Sequence, residues 1–267
     1  MNAPSAFTRA DIRTHYQAQG FVHLHGFFAE PEVESLRKSL AAFHENWLRQ
    51  NEALYCKGAI NSAYLTDDAA AGKATRRQLF QILGDSRIAQ LLEALVSEPQ
   101  AFLNTQLFFD PKNPAQPNYW HRDIQYAGLS LEEQQAQFCR MNMFHLRLAL
   151  RDEPGLELMP GTHRRWDTDE EFAVRMKQAG RRVDEPLPGA QVVPLSAGDL
   201  LVFSANMLHR GLYGMGRFAF DMLFCDARPD LLRYARRSCL PSEEELAGVD
   251  CPQLFTRTRQ VLDQAGL

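Results

Sequence analysis

The chain has 267 residues, 45% of them hydrophobic and 23% charged, the balance of an ordinary globular protein long enough for one large core. Its net charge of −4 argues against a protein that binds nucleic acid by neutralising many phosphates, and no apolar run is long enough to cross a bilayer. Met1 to Phe7 lacks the basic and apolar regions of a secretory leader. Cys56, Cys139, Cys225, Cys239 and Cys251 form no C-x-x-C pair, which fits a reducing cytoplasmic setting rather than a disulfide framework or structural zinc.

Residues 8–19 read as a helix, with Thr8 as N-cap and Gly20 as its stop. Phe21 to His25 reads as a short strand. An amphipathic helix follows from Pro31, its Val33, Leu36, Leu40, Phe43 and Trp47 spaced three and four apart on one face. Another is expected over Ser86 to Val96, burying Ile88, Leu91, Leu92 and Leu95.

From Phe102 the period changes to two. Asn104, Gln106 and Phe108 alternate with Leu103, Thr105, Leu107 and Phe109. Met141 to Leu150 alternates again: if Leu146, Leu148 and Leu150 pack on the helices, His145 and Arg147 point inward. Val192 to Leu195, Leu200 to Ser204 and Phe218 to Cys225 are further strands. Arg164 to Pro188, rich in charge, Pro and Gly, reads as a solvated excursion rather than core. The chain turns helical again after Pro229. The expectation is one domain over residues 1–267: a helical part at about 8–98, a β core at about 100–228 and a helical tail at 229–267.

His121 and Asp123 are two apart, so on an extended chain both side chains reach one side. Two imidazoles and a carboxylate on one face leave coordination positions open, as dioxygen chemistry at ferrous iron requires. An H-x-D pair alone arises often by chance in a chain with 8 histidines. His209 supplies a third donor, just beyond the buried run Leu200 to Ser204. Arg217 heads the next strand, and its guanidinium fork matches a carboxylate in two-point fashion; Arg210 is its rival for that task.

Four segments, in order, resemble the phytanoyl-CoA dioxygenase family of iron(II)- and 2-oxoglutarate-dependent oxygenases. Tyr16 to Phe28 is similar to the family's opening helix and strand, and Trp120 to Asp123 to its first ligand motif. Gly155 to Arg164, with Pro160, Gly161 and His163, resembles its G-x-L-x-x-x-P-G-S-H turn. Gly198 to Phe203 with His209 resembles the last ligand segment. The resemblance implies a mainly β fold with flanking helices around a double-stranded β-helix (jelly-roll, cupin-like) core. It implies Fe(II) bound by His121, Asp123 and His209, the distal carboxylate of 2-oxoglutarate held by Arg217 in preference to Arg210, and O2 as the oxidant. Relatives that halogenate carry a small residue where Asp123 stands, so hydroxylation is expected.

An aromatic residue is common in the family where Arg147 aligns. A buried arginine needs an anionic partner: a carboxylate of substrate or of 2-oxoglutarate, with His145 helping, or an internal bridge to Asp221 or Glu157. Asn104 and Gln106 would complete such a site, and Tyr119 and Trp120 would wall it. His163 reads as a structural hydrogen-bonder, His23 and His25 as packed or solvent-facing. Arg164, Arg165, Arg181 and Arg182 read as a solvated loop or as a lid over an anionic substrate. The expected reaction is hydroxylation of an unactivated C–H bond in a small, carboxylate-bearing metabolite, with release of succinate and CO2. Alternatives are an acyl-CoA hydroxylase of this class, a cupin-like metalloenzyme that does not use 2-oxoglutarate, and a non-catalytic barrel that binds a small acid. Neither nucleic acid nor a membrane is expected as a partner, and the chain is expected to be a monomer or homodimer.

Overall fold

A computed structural model describes residues 8–267, with the backbone but not the side chain of Cys139. The leader-free start read at Met1–Phe7 and the thiol read at Cys139 lie outside what is described. The helices are α1 (Arg9–Gln19), α2 (Glu30–Gln50), α3 (Glu52–Cys56), α4 (Lys73–Leu83), α5 (Ser86–Leu95), α6 (Leu131–Gln137), α7 (Asp169–Arg175), α8 (Pro229–Leu232), α9 (Glu243–Leu246) and α10 (Gln253–Ala265). The strands are β1 (Phe21–Leu24), β2 (Asn61–Ala63), β3 (Gln100–Phe109), β4 (Met143–Ala149), β5 (Glu153–Leu158), β6 (Gln191–Leu195), β7 (Leu200–Ser204), β8 (His209–Gly211) and β9 (Phe218–Asp226).

Local chemistry sets the first boundaries as expected. The Thr8 hydroxyl accepts from the Asp11 amide while the Asp11 carboxylate accepts from the Thr8 amide, a reciprocal cap on α1. Gly20 ends the helix at φ 86°, a conformation that costs glycine nothing. On α2, Val33, Leu36 and Leu40 are fully buried. Helices α3, α4, α6 and α7 escaped the sequence reading. In α4, Leu79, Phe80 and Leu83 join the core while Arg76 is buried against Glu245, Nε to Oε1 3.0 Å.

The strands form two antiparallel sheets, one ordered β1-β7-β4-β9-β3-β2 and the other β6-β5-β8. This is the jelly-roll core. Side chains alternate across the large sheet as its period of two requires. Phe144, Leu146 and Leu148 of β4 and Phe218, Phe220, Met222 and Phe224 of β9 share one cluster with α2, α4, α5 and α10. The intervening His145, Arg147, Asp221 and Leu223 face the cavity on the other side. Glycine is required where the sheets turn. Gly155 (φ +77°) lies in an irregularity of the β5–β6 pairing, and a Cβ there would stand 1.8 Å from the Val193 carbonyl oxygen.

The reading of Arg164–Pro188 as a solvated excursion rather than core is corrected in part: much of the segment is exposed, but it also supplies buried residues. Val174 and Leu187 are buried with Trp120, Met159 and Leu208. Asp167 accepts from Arg122 Nε at 2.7 Å and from Arg175 Nη2 at 2.6 Å, with all three side chains fully enclosed. Both guanidinium groups also sit over Trp166, at 5.7 and 5.5 Å. The buried charges of this segment are satisfied internally, while Asp169, Glu170, Lys177 and Arg182 stay exposed.

Candidate active site

His121 and His209 are brought together by backbone before any side chain acts. Each donates its amide to the other's carbonyl, at 2.9 and 3.0 Å, forming an isolated antiparallel bridge. The Asp123 amide donates to Ala205 O at 3.0 Å and fixes the third residue beside them. The first ligand segment is thereby pinned to the turn between β7 and β8. Arg122, between the two, reinforces it: its guanidinium donates to Asp167, to Thr162 O at 2.6 Å and to Asn206 O.

The imidazole orientations follow from their outer nitrogens. His121 Nδ1 lies 3.1 Å from Tyr119 O and His209 Nδ1 lies 2.8 Å from Met207 O. Carbonyls only accept, so each Nδ1 carries the hydrogen and each Nε2 keeps its lone pair. Those Nε2 atoms stand 3.6 and 3.8 Å from Asp123 Oδ1, so two nitrogens and one oxygen converge on one point. Burial lowers the His209 pKa to about 3, helped by the neighbouring His121, and burial lowers His121 as well. Burial opposes the charge of Asp123, yet His145, His209 and His121 together hold its carboxyl below the usual range. Two neutral imidazoles and an ionised carboxylate are the protonation states a divalent ion needs. This donor set fits Fe(II) with open positions.

The trio lines a cavity of about 230 Å³, and Arg217 lines it too. Only 2% of Arg217 is exposed, yet its Nε and Nη1 have no hydrogen-bond partner among the described residues. The nearest carboxylate oxygen, Glu153 Oε2, is 3.8 Å from Nε, beyond hydrogen-bond reach. Burial, with the charge of Arg147 beside it, lowers the Arg217 pKa to about 10. A buried guanidinium with unspent donors facing a cavity fits a ligand carboxylate. Gly211 makes room for it, since a Cβ there would lie 2.7 Å from Arg217 Nη2. The rival Arg210 points elsewhere: it binds Glu157 at 2.6 Å and Asp184 O at 2.7 Å, and lies over Trp120.

Arg147 takes the internal alternative, with Asp221 as its partner rather than Glu157. Nε and Nη2 donate to the two oxygens of Asp221 at 2.7 and 3.1 Å, across a β4–β9 pair that the register places directly opposite. Nη1 is left without a hydrogen-bond partner among the described residues, 4.0 Å from Glu153. His145 lies between two acids, Nε2 on Asp123 Oδ2 at 2.7 Å and Nδ1 on Asp221 Oδ2 at 3.0 Å.

Other expected site residues divide. Gln106 and Tyr119 line the cavity. Trp120 does not: it is fully buried in the small cluster with Met159 and Leu208, its indole donating to Glu185 O at 2.9 Å. Two adjacent residues of an extended chain face opposite ways, so Tyr119 and Trp120 cannot both be walls. Asn104 does not line the cavity either; its Oδ1 accepts from the Thr105 amide at 2.7 Å beside the irregularity in β3. His163 packs on the Tyr16 ring, outside the trio. Arg165, Arg181 and Arg182 bind Glu171, Glu185 and Asp184 of their own segment, and none of the three lines the cavity. The sequence reading missed Ile60, Tyr126 and Tyr213 as wall residues. A larger cavity, about 650 Å³ beside Arg13, Tyr16 and Asn142, contains none of the converging trio, so chemistry rather than size identifies the site.

A jelly roll that brings two histidines, a carboxylate and an unspent buried arginine to one cavity defines the class of 2-oxoglutarate-dependent oxygenases. The chain belongs to the phytanoyl-CoA dioxygenase family, whose model matches residues 16–212. No curated protein matches its sequence at a significant level. The fold is similar to that of EctD from S. alaskensis, solved with 2-oxoglutarate and 5-hydroxyectoine (TM-score 0.59, 17% identity, 89% of this chain and 86% of that one). It is similar also to the alpha ketoglutarate dependent carbocyclase SnoK from nogalamycin biosynthesis (TM-score 0.58, 18% identity, 85% and 87%). A third is HygX from Streptomyces hygroscopicus, with nickel and 2-oxoglutarate bound (TM-score 0.56, 16% identity, 78% and 83%).

Proposed function

We propose that this protein hydroxylates an unactivated C–H bond of a small, carboxylate-bearing metabolite. In this reading His121, Asp123 and His209 hold Fe(II), and Arg217 holds the distal carboxylate of 2-oxoglutarate. Bound iron, 2-oxoglutarate and O2 together supply an oxidant strong enough to remove hydrogen from carbon, releasing succinate and CO2. The protein's own part is orientation and exclusion of water. Arg217 fixes one end of the co-substrate, Asp123 presents one oxygen to the trio while His145 occupies the other, and Phe108, Tyr119, Met143 and Leu223 wall the space.

The observation that carries this reading is the convergence of the trio and the unspent Arg217 guanidinium on one cavity. Its volume, shared with 2-oxoglutarate, supports a small substrate over an acyl-CoA thioester. The Nη1 donor that Arg147 has left supports a carboxylate on that substrate. Solved neighbours include a carbocyclase and an epimerase, so the product's mass separates the outcomes. Incubation with Fe(II), 2-oxoglutarate and O2 across amino acids, other small carboxylic acids, acyl-CoAs and phosphonates is expected to yield succinate together with a product one oxygen atom heavier. Turnover that does not consume 2-oxoglutarate, or a product that gains no oxygen, would overturn the proposal.

A further inference from the structure

A second set of metal-type donors lies outside the cavity, where β1 meets the turn before β7. His23 and His25 are two apart, so their side chains leave the strand on one side. The register pairs Leu24 with Leu200 and therefore brings His25 alongside Asp199. His23 Nε2 lies 2.8 Å and His25 Nδ1 3.3 Å from the same atom, Asp199 Oδ2. The Ser196 amide donates to that oxygen as well, at 3.1 Å, and the Gly26 amide donates to Oδ1 at 2.8 Å. The two rings are 4.0 Å apart.

We propose that His23, His25 and Asp199 bind a divalent metal ion of the Zn2+ class. As simple hydrogen bonding, the arrangement crowds three N–H donors onto one carboxylate oxygen and presses two imidazoles together. An ion among the three side chains uses the same placement better. Donors about 2.1 Å from a shared Zn2+ stand roughly 3.4 Å apart at a tetrahedral angle; the His25–Asp199 pair already has this spacing at 3.3 Å, and the His23–Asp199 pair reaches it by opening from 2.8 Å. The three donor atoms lie within 4.8 Å of one another. The amides of Gly26 and Ser196 hold the carboxylate in place, as outer hydrogen bonds do at metal sites. Two imidazoles with one carboxylate select zinc, nickel or copper over magnesium or calcium. His25 has 73% of its side chain exposed, which leaves water to complete the shell. The ion would clip edge strand β1 to the entry of β7, on residues that do not line the iron cavity.

Metal-stripped, full-length protein titrated with ZnCl2 by calorimetry at neutral pH tests the site. The wild type is expected to bind two equivalents, one at each trio. His25→Ala, a change at an exposed side chain that leaves the core intact, is expected to bind one. His121→Ala is expected to lose the other equivalent, and Zn2+ should still raise its Tm. A wild type whose Zn2+ uptake is abolished by His121→Ala, or an H25A variant that binds as many equivalents as the wild type, would overturn the proposal.

Discussion

His145 Nε2 lies 2.7 Å from Asp123 Oδ2, so the oxygen of Asp123 that does not face His121 and His209 is already engaged. The other ring nitrogen meets Asp221. Ionised carboxylates accept only, so both nitrogens carry hydrogen and the ring is a cation. Burial opposes that charge, but Asp123 and Asp221 outweigh it and raise the pKa to about 9. His145 therefore keeps Asp123 ionised and turned so that a single oxygen points at the two imidazoles. His145→Ala is predicted to weaken Fe(II) binding about 10–100-fold, the usual effect of losing an outer partner of a ligand. His145→Gln, which retains one donor, should lose less. Anaerobic calorimetry measures both, and an unchanged Kd in H145A would remove His145 from this role.

Arg217 and Gly211 make a paired prediction. Loss of charge-assisted hydrogen bonds in Arg217→Ala should raise the Kd for 2-oxoglutarate about 10–100-fold. Gly211→Ala should reach the same end indirectly, because its Cβ would press on Nη1 and Nη2 at 3.0 and 2.7 Å. An increase of about tenfold in KM for 2-oxoglutarate, with Fe(II) affinity unchanged, is the expected signature of G211A. A wild-type KM in that variant would mean the guanidinium is not where the co-substrate binds.

Among the described residues, Asp167 is the one acid that bridges both Arg122 and Arg175. Asp167→Asn leaves two enclosed guanidinium groups without a counter-charge, which should cost about 3–5 kcal/mol of folding stability. Urea unfolding checks this; a loss below 1 kcal/mol, roughly the worth of a surface pair, would contradict it.

Stability should also decline in mild acid through His163. Burial, then the charge of Arg164, lowers its pKa from the ordinary 6.5 to about 4. Between those values the unfolded chain takes up a proton that the folded chain refuses, so stability falls with pH from about 6.5 and levels off below about 4. The wild type should lose about 1 kcal/mol more than His163→Gln between pH 7 and pH 5. Parallel stability curves for the two proteins would contradict this.

Features that depend on local chemistry were legible in the sequence. The Thr8 cap, the Gly20 stop, the face of α2 and the inward placement of His145 and Arg147 follow from spacing alone. Long-range pairing was not. That Arg147 goes to Asp221 is fixed by β4–β9 register, which no short window contains. Strand β2 spans only Asn61–Ala63, too short to show a period, so Ile60 and Asn61 could not be placed beside the cavity. The charge of Arg164–Pro188 misled in part because Arg175 finds Asp167 and Trp166 inside the fold. The His121–Asp123 pair meant little until His209 and Arg217 were set against it.

Anaerobic addition of Fe(II) and then 2-oxoglutarate tests the central claim most directly. A visible metal-to-ligand charge-transfer absorption is expected that appears only with both, is lost in His121→Ala, and decays with succinate release when O2 is admitted. A correctly folded wild-type protein that develops no such absorption would contradict it.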